Sequence, residues 1–186
     1  MVDVAGRRGE SVRDRLLEAA GLVLADAGPR SLHMSAVAAE AGVSRPTLYA
    51  YFPTKQDLLS GLASYQRARF NQGLEWALAG LTGAERLDRA LAFMIEFQRA
   101  YPMRKLVLIE PEFMLDQLER SLRSMSASLV PLFEEALEVD GATAADLADL
   151  AVRTAISHFL IPRDAEQLVR ELRHITDRAV ALGGQR

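Results

Sequence analysis

The chain has 186 residues, 49% of them hydrophobic and 25% charged, with a net charge of −3 at pH 7 and no cysteine. That is the profile of a folded chain of one domain or two small ones. The missing thiols exclude disulfides, thiolate zinc sites and cysteine nucleophiles, and the acidic balance argues against adhesion to nucleic acid through bulk positive charge. No apolar run approaches the ~20 residues of a bilayer-spanning helix, and MVDVAGRRGE at the start holds no signal-like apolar segment, so a cytoplasmic protein is expected.

Residues 1–10 lack periodicity and read as a disordered tail. Ser11 opens a helix in which Val12, Leu16, Ala19, Val23 and Ala27 make one apolar stripe, and Gly28–Pro29 give its stop signal. A short second helix covers Met34–Ala41, with Val37, Ala38 and Ala41 inward. Gly42 supplies the left-handed turn, Ser44 the N-cap of a third helix, and Pro46 falls where a missing N–H is tolerated. Leu48 and Phe52, four apart, anchor that helix, and Pro53 ends it. Thr54 with Asp57 caps a fourth helix reaching about Ala79. The stretch Val37–Leu59, VAAEAGVSRPTLYAYFPTKQDLL, thus holds two short helices joined by a glycine turn. This is the helix-turn-helix unit, whose second helix fits the DNA major groove.

The remainder reads as helices near 84–100, 103–109, 112–138, 143–160 and 164–182, punctuated by Pro102, Pro111, Pro131 and Pro162; Pro131 is expected to kink or break the longest. The expected fold is all-α: a three-helix helix-turn-helix head over 11–57, then an antiparallel helical domain over 58–186, the part left for dimerisation and for control of the head. Leu168, Leu172, Ile175, Ala179 and Leu182 form a heptad-like seam, and Leu147, Ala151, Thr154 and His158 a second stripe. Such a helix pair can meet its twofold copy in a four-helix bundle, giving a homodimer; packing inside one chain is the competing reading.

Seven basic and seven acidic side chains share residues 1–60, so DNA affinity must come from placed contacts. The segment from about Arg13 to Leu59 resembles the DNA-binding domain of the TetR family of bacterial transcriptional regulators, on the residues LLEAAGLVLADAG (16–28), VAAEAGVSRPTLYAYF (37–52) and PTKQDLL (53–59). The resemblance implies that Ser44–Tyr51 is the recognition helix. Arg45 and Thr47, with Ser44 and Pro46 at its start, would face base edges or nearby phosphates, Tyr49 and Tyr51 the DNA backbone, and Lys55 a phosphate. Arginine offers guanine two parallel donors, whereas tyrosine hydroxyls and lysine fix register through phosphates. His33 and Ser35 stand where the family usually has threonine and often a basic residue, which implies weak phosphate anchoring from the second helix; Arg7 and Arg8 are candidates to compensate.

By the same resemblance, the second part holds a pocket for a small apolar effector. The soft side chains Trp76, Phe93, Met94, Phe97, Tyr101, Phe113, Met114 and Met125, with His158, are its candidate walls, against the alternative that they are plain core. His33, His158 and His174 show no metal-ligand spacing, and neither a nucleophile elbow nor a phosphate loop is present, so no enzyme, metal or cofactor is expected. The function expected is a ligand-responsive transcription factor, most often a repressor in this family, on a palindromic operator. The alternative is a helical small-molecule binding protein with a degenerate DNA-binding head.

Overall fold

The computed structural model describes residues 11–100, 111–161, 167, 168 and 170–174. Among them there are helices and no strand: α1 (Val12–Ser31), α2 (Met34–Glu40), α3 (Arg45–Tyr51), α4 (Lys55–Leu78), α5 (Gly83–Ala100), α6 (Pro111–Leu137) and α7 (Gly141–Leu160), then a helical piece over 170–174. The all-α expectation and the order of elements hold. The tail 1–10, the helix expected over 103–109 and the end of the last helix lie outside the described residues.

Local chemistry sets most boundaries. The Ser11 side chain accepts from the Asp14 amide and starts α1. Helical backbone breaks at Gly28, at φ 76° and ψ 165°, a left-handed value that glycine adopts without strain; one further turn then reaches Ser31. Thr54 and Asp57 form a reciprocal capping box at the start of α4. α6 continues past Pro131 to Leu137, against the expected break. Pro131 sits on the exposed face, as does Ala127 one turn earlier, so the carbonyl left without an amide partner is turned toward water.

Two apolar cores result. The head-side core joins Leu16, Leu17, Ala20 and Leu24 of α1 to Val37, Leu48, Phe52, Leu58 and Leu62. The buried stripe of α1 is therefore centred on Leu17, Ala20 and Leu24, with Val12, Val23 and Ala27 at its margin. This core also takes in Met114 of α6 and Phe159 of α7, so head and body share packing. The body core is built from α4, α5, α6 and α7 around Phe133, Leu129 and Met94. On α7 its face is Ala144, Ala148, Ala151, Val152 and Ala155. Such small side chains bring helix axes close.

The C-terminal seam meets a different fate from the one its spacing suggests. Leu168, Leu172 and Ala151 are consumed in the body core of a single chain. Ile175, Ala179 and Leu182 lie outside the described residues. The face of α7 left open passes instead through the half-buried Leu147 and Thr154 to Leu150 and Ile161, which are 47% and 68% exposed.

Candidate nucleic-acid interface

The turn between α2 and α3 is fixed by short-range forces. Gly42 takes φ 64°. The Val43 amide donates to the Ala38 carbonyl at 2.9 Å, and Arg15 of α1 donates to the Ala41 carbonyl at 3.1 Å, capping the end of α2. Ser44 accepts from the Thr47 amide at 3.2 Å, and the two hydroxyls share a 2.7 Å hydrogen bond. The seven residues of α3 are too few to hold a helix alone, so its stability comes from packing. Leu48 and Phe52 supply that packing, both within the head-side core.

With Leu48 inward, the opposite side of α3 is open. Arg45 and Tyr49, four apart on one face, are exposed, as are Pro46 and Ser44; Thr47 is half-buried under its Ser44 contact. Tyr49 is 48% exposed, large for an aromatic with core within reach. Tyr51 is 46% exposed and points elsewhere: it lines a surface groove with Arg13, Pro53, Asp57 and Ser60. Arg13, whose guanidinium rides 5.5 Å above the Phe52 ring, is thus brought beside the end of α3 from 38 positions upstream of Tyr51. Sequence spacing gave no signal for it.

His33 caps α2 with no side-chain hydrogen bond and is exposed, while Ser35 is half-buried. Lys55 opens α4, and its Nζ donates to the Arg30 carbonyl at 3.3 Å, tying α4 to the end of α1. An ammonium has three donors, so this bond leaves two for another acceptor.

Behind this surface, α4 is locked to α1. The Tyr65 hydroxyl donates to Glu18 at 3.0 Å, and Arg69 pairs with the same carboxylate oxygen at 3.0 Å. Burial, then the bond to Glu18, pushes the Tyr65 phenol up to about 12, so it stays a neutral donor through the physiological range.

In the body, a cavity of about 100 Å³ lies between α4, α5, α6 and α7. Of the expected walls, Phe97 and Met125 line it. Met94 is wholly buried core, Phe93 only backs the wall, and Phe113 and Met114 belong to the head-side core. Trp76 is 80% exposed and stands away from it. His158 bonds Glu171 at 2.9 Å instead of facing the cavity, and Tyr101 lies outside the described residues. The remaining lining includes Gln66, Arg67, Phe70, Gln117, Leu118 and Phe159. Among the described residues, no group of acidic, histidine or cysteine side chains could hold a metal ion, and no helix is long and apolar enough to cross a membrane.

A glycine-turned helix pair presenting an open, arginine- and tyrosine-bearing second helix defines a helix-turn-helix protein with a helical body. Comparison with known proteins agrees. Residues 16–62 match the family of bacterial regulatory proteins of tetR type. The HTH-type transcriptional repressor LfrR of Mycolicibacterium smegmatis is 36% identical over 108 residues, 58% of this chain and 54% of LfrR. An uncharacterised HTH-type transcriptional regulator of Mycobacterium tuberculosis is 30% identical over 100 residues, 53% of this chain and 50% of its own length. The chain therefore spans about half the length of these curated relatives. In fold, it superposes on a TetR-like transcriptional regulator from Rhodococcus sp. RHA1 with a TM-score of 0.67 at 21% identity, covering 91% of this chain and 96% of that one. The head, residues 16–62, is thus similar to the tetR family of bacterial regulatory proteins, and the described helices share the fold of a TetR-like regulator.

Proposed function

We propose that the chain is a ligand-responsive repressor that binds an inverted-repeat operator as a homodimer and is released by a small molecule held in the α4–α7 cavity. The observation that carries the DNA-binding half is the outward placement of Arg45 and Tyr49 on a helix anchored from behind by Leu48. Neither side chain serves the fold, which leaves both for a duplex. Dimerisation through α7 and the last helix would use the open face of Leu147, Leu150, Thr154 and Ile161 and set two recognition helices about 34–36 Å apart, in successive major grooves.

Release follows from shared packing. Leu118 and Phe159 line the cavity and also pack in the head-side core. A space of about 100 Å³ is small against the ~300–1,000 Å³ of ordinary ligand sites, so an effector of usual size must displace those walls. Interiors are close-packed, and the displacement passes to the head. An effector that favours a different head spacing lowers DNA affinity by linkage.

A gel shift with the DNA flanking the chain's own gene tests the reading. Saturable binding that fades with added salt supports it. No shift at low salt favours a helical small-molecule binding protein whose head no longer reads DNA.

A further inference from the structure

The cavity is not uniformly apolar, and among the described residues the charged side chains that line it are both arginines. Its lining includes Arg67 and Arg120, with no aspartate or glutamate among the described residues. Arg120 is neutralised by an ion pair with Asp116 one turn earlier on α6. Arg67 has no such partner: one N–H goes to the Ser64 hydroxyl at 3.1 Å, and no carboxylate pairs with it among the described residues. Gln66 and Gln98 add neutral polar groups. On the other side stands an aromatic wall: Phe70 and Phe97 meet edge to face at 5.2 Å, backed by Phe93 at 5.6 and 5.9 Å. Among the described residues that line it, a cation would find no carboxylate, and a hydrocarbon would cover Arg67 without satisfying it.

We propose that the effector is an amphipathic organic anion, a carboxylate carried on an aryl or short alkyl body, rather than the purely apolar molecule that the soft side chains suggest. The carboxylate meets Arg67, for which a guanidinium is the best-matched donor. The body lies on Phe70 and Phe97. This rests on the ligand-responsive reading above and gives its site a chemistry.

The test uses the full chain and three probes with one body: 4-phenylbutyrate, 4-phenylbutylamine and 4-phenylbutanol, titrated calorimetrically. The carboxylate is expected to bind about tenfold more tightly than the amine, a difference within the range of one charge-assisted hydrogen bond. Arg67→Gln should cost the carboxylate about fivefold, consistent with a partly solvated ion pair, while leaving the alcohol within about twofold. Arg67→Lys should retain most of the carboxylate affinity. The assignment is overturned if the amine binds as well as the carboxylate, if Arg67→Gln binds the carboxylate like the parent, or if the carboxylate does not bind at millimolar concentration. Operator binding by the same preparation, measured without probe, separates the two ideas. DNA binding without carboxylate binding sinks this assignment alone. Carboxylate binding without DNA binding sinks the regulator reading and leaves the site standing.

Discussion

Arg45 and Lys55 make opposite contributions to a duplex in this account, and that difference can be measured. Arg45 projects from the open face of α3 with no structural duty, so Arg45→Ala should leave thermal stability unchanged. It should lower affinity for the cognate operator by about 1–3 kcal/mol and relax base preference, because a paired donor set for guanine is lost. Lys55 carries charge but no sequence information. Lys55→Ala should weaken all sequences about equally and reduce the salt slope by about one counterion, measured by anisotropy across a salt series. It should also cost some stability, since its bond to the Arg30 carbonyl goes too. Two carboxylates give the fold an acid-sensitive limb. Glu135 is held below its ordinary value of 4.5 chiefly by the Gly83 amide, with help from Arg86. Asp140 is held below 3.8 by the amide and hydroxyl of Thr143, as the N-cap of α7. Groups lowered by folding stabilise above their unfolded values, and that contribution fades as pH falls through the folded values. A melting series from pH 6 to acid should therefore steepen below pH 4.5, and Glu135→Gln with Asp140→Asn should flatten it.

α4 is the element on which head and body meet, and one glycine sets the fit. A Cβ at Gly61 would lie 2.8 Å from Phe52 Cε1 and 3.3 Å from Leu17 Cδ2. Phe52 is buried in the head-side core, so Gly61→Ala should destabilise the fold by about 1–3 kcal/mol, as overpacking does, read by chemical denaturation. Its DNA affinity should fall as well, because Phe52 also carries the end of α3. At this scale the sequence is legible wherever the controlling forces are local. The caps at Ser11, Ser44 and Thr54–Asp57 follow from contacts three residues apart, and the outward Arg45 and Tyr49 from the four-residue spacing of Leu48 and Phe52, which marks the opposite face as apolar. What spacing leaves open is which side of an apolar stripe is used. On α1 the stripe turns toward Leu17 and Leu24, and at the C-terminus Leu168 and Leu172 turn inward. Pro131 passes because its neighbours face water, a fact of packing that no local pattern holds.

The whole molecule draws its cavity from residues spread between Ala63 and Phe159 on four helices. That explains why residue type was a poor guide to it. Trp76 and Met114 are as soft as Phe97 and Met125, yet one is solvent-facing and the other supports the head. In the polar lining, Arg67 carried no signal because exposed arginines are ordinary on helices. The proposed homodimer belongs to this scale. Leu150 is exposed on the open face of α7, so Leu150→Glu should leave the monomer's melting cooperative, shift the chain to monomer in light-scattering chromatography and lower operator affinity at least about tenfold, since one head alone holds half the contacts. Hydroxyl-radical footprinting on the DNA flanking the gene shows whether two outward-facing α3 helices read successive major grooves. Two symmetric protected patches are expected on one face of the duplex, centred about 10 base pairs apart. A single patch, or no protection at low salt, would contradict that reading.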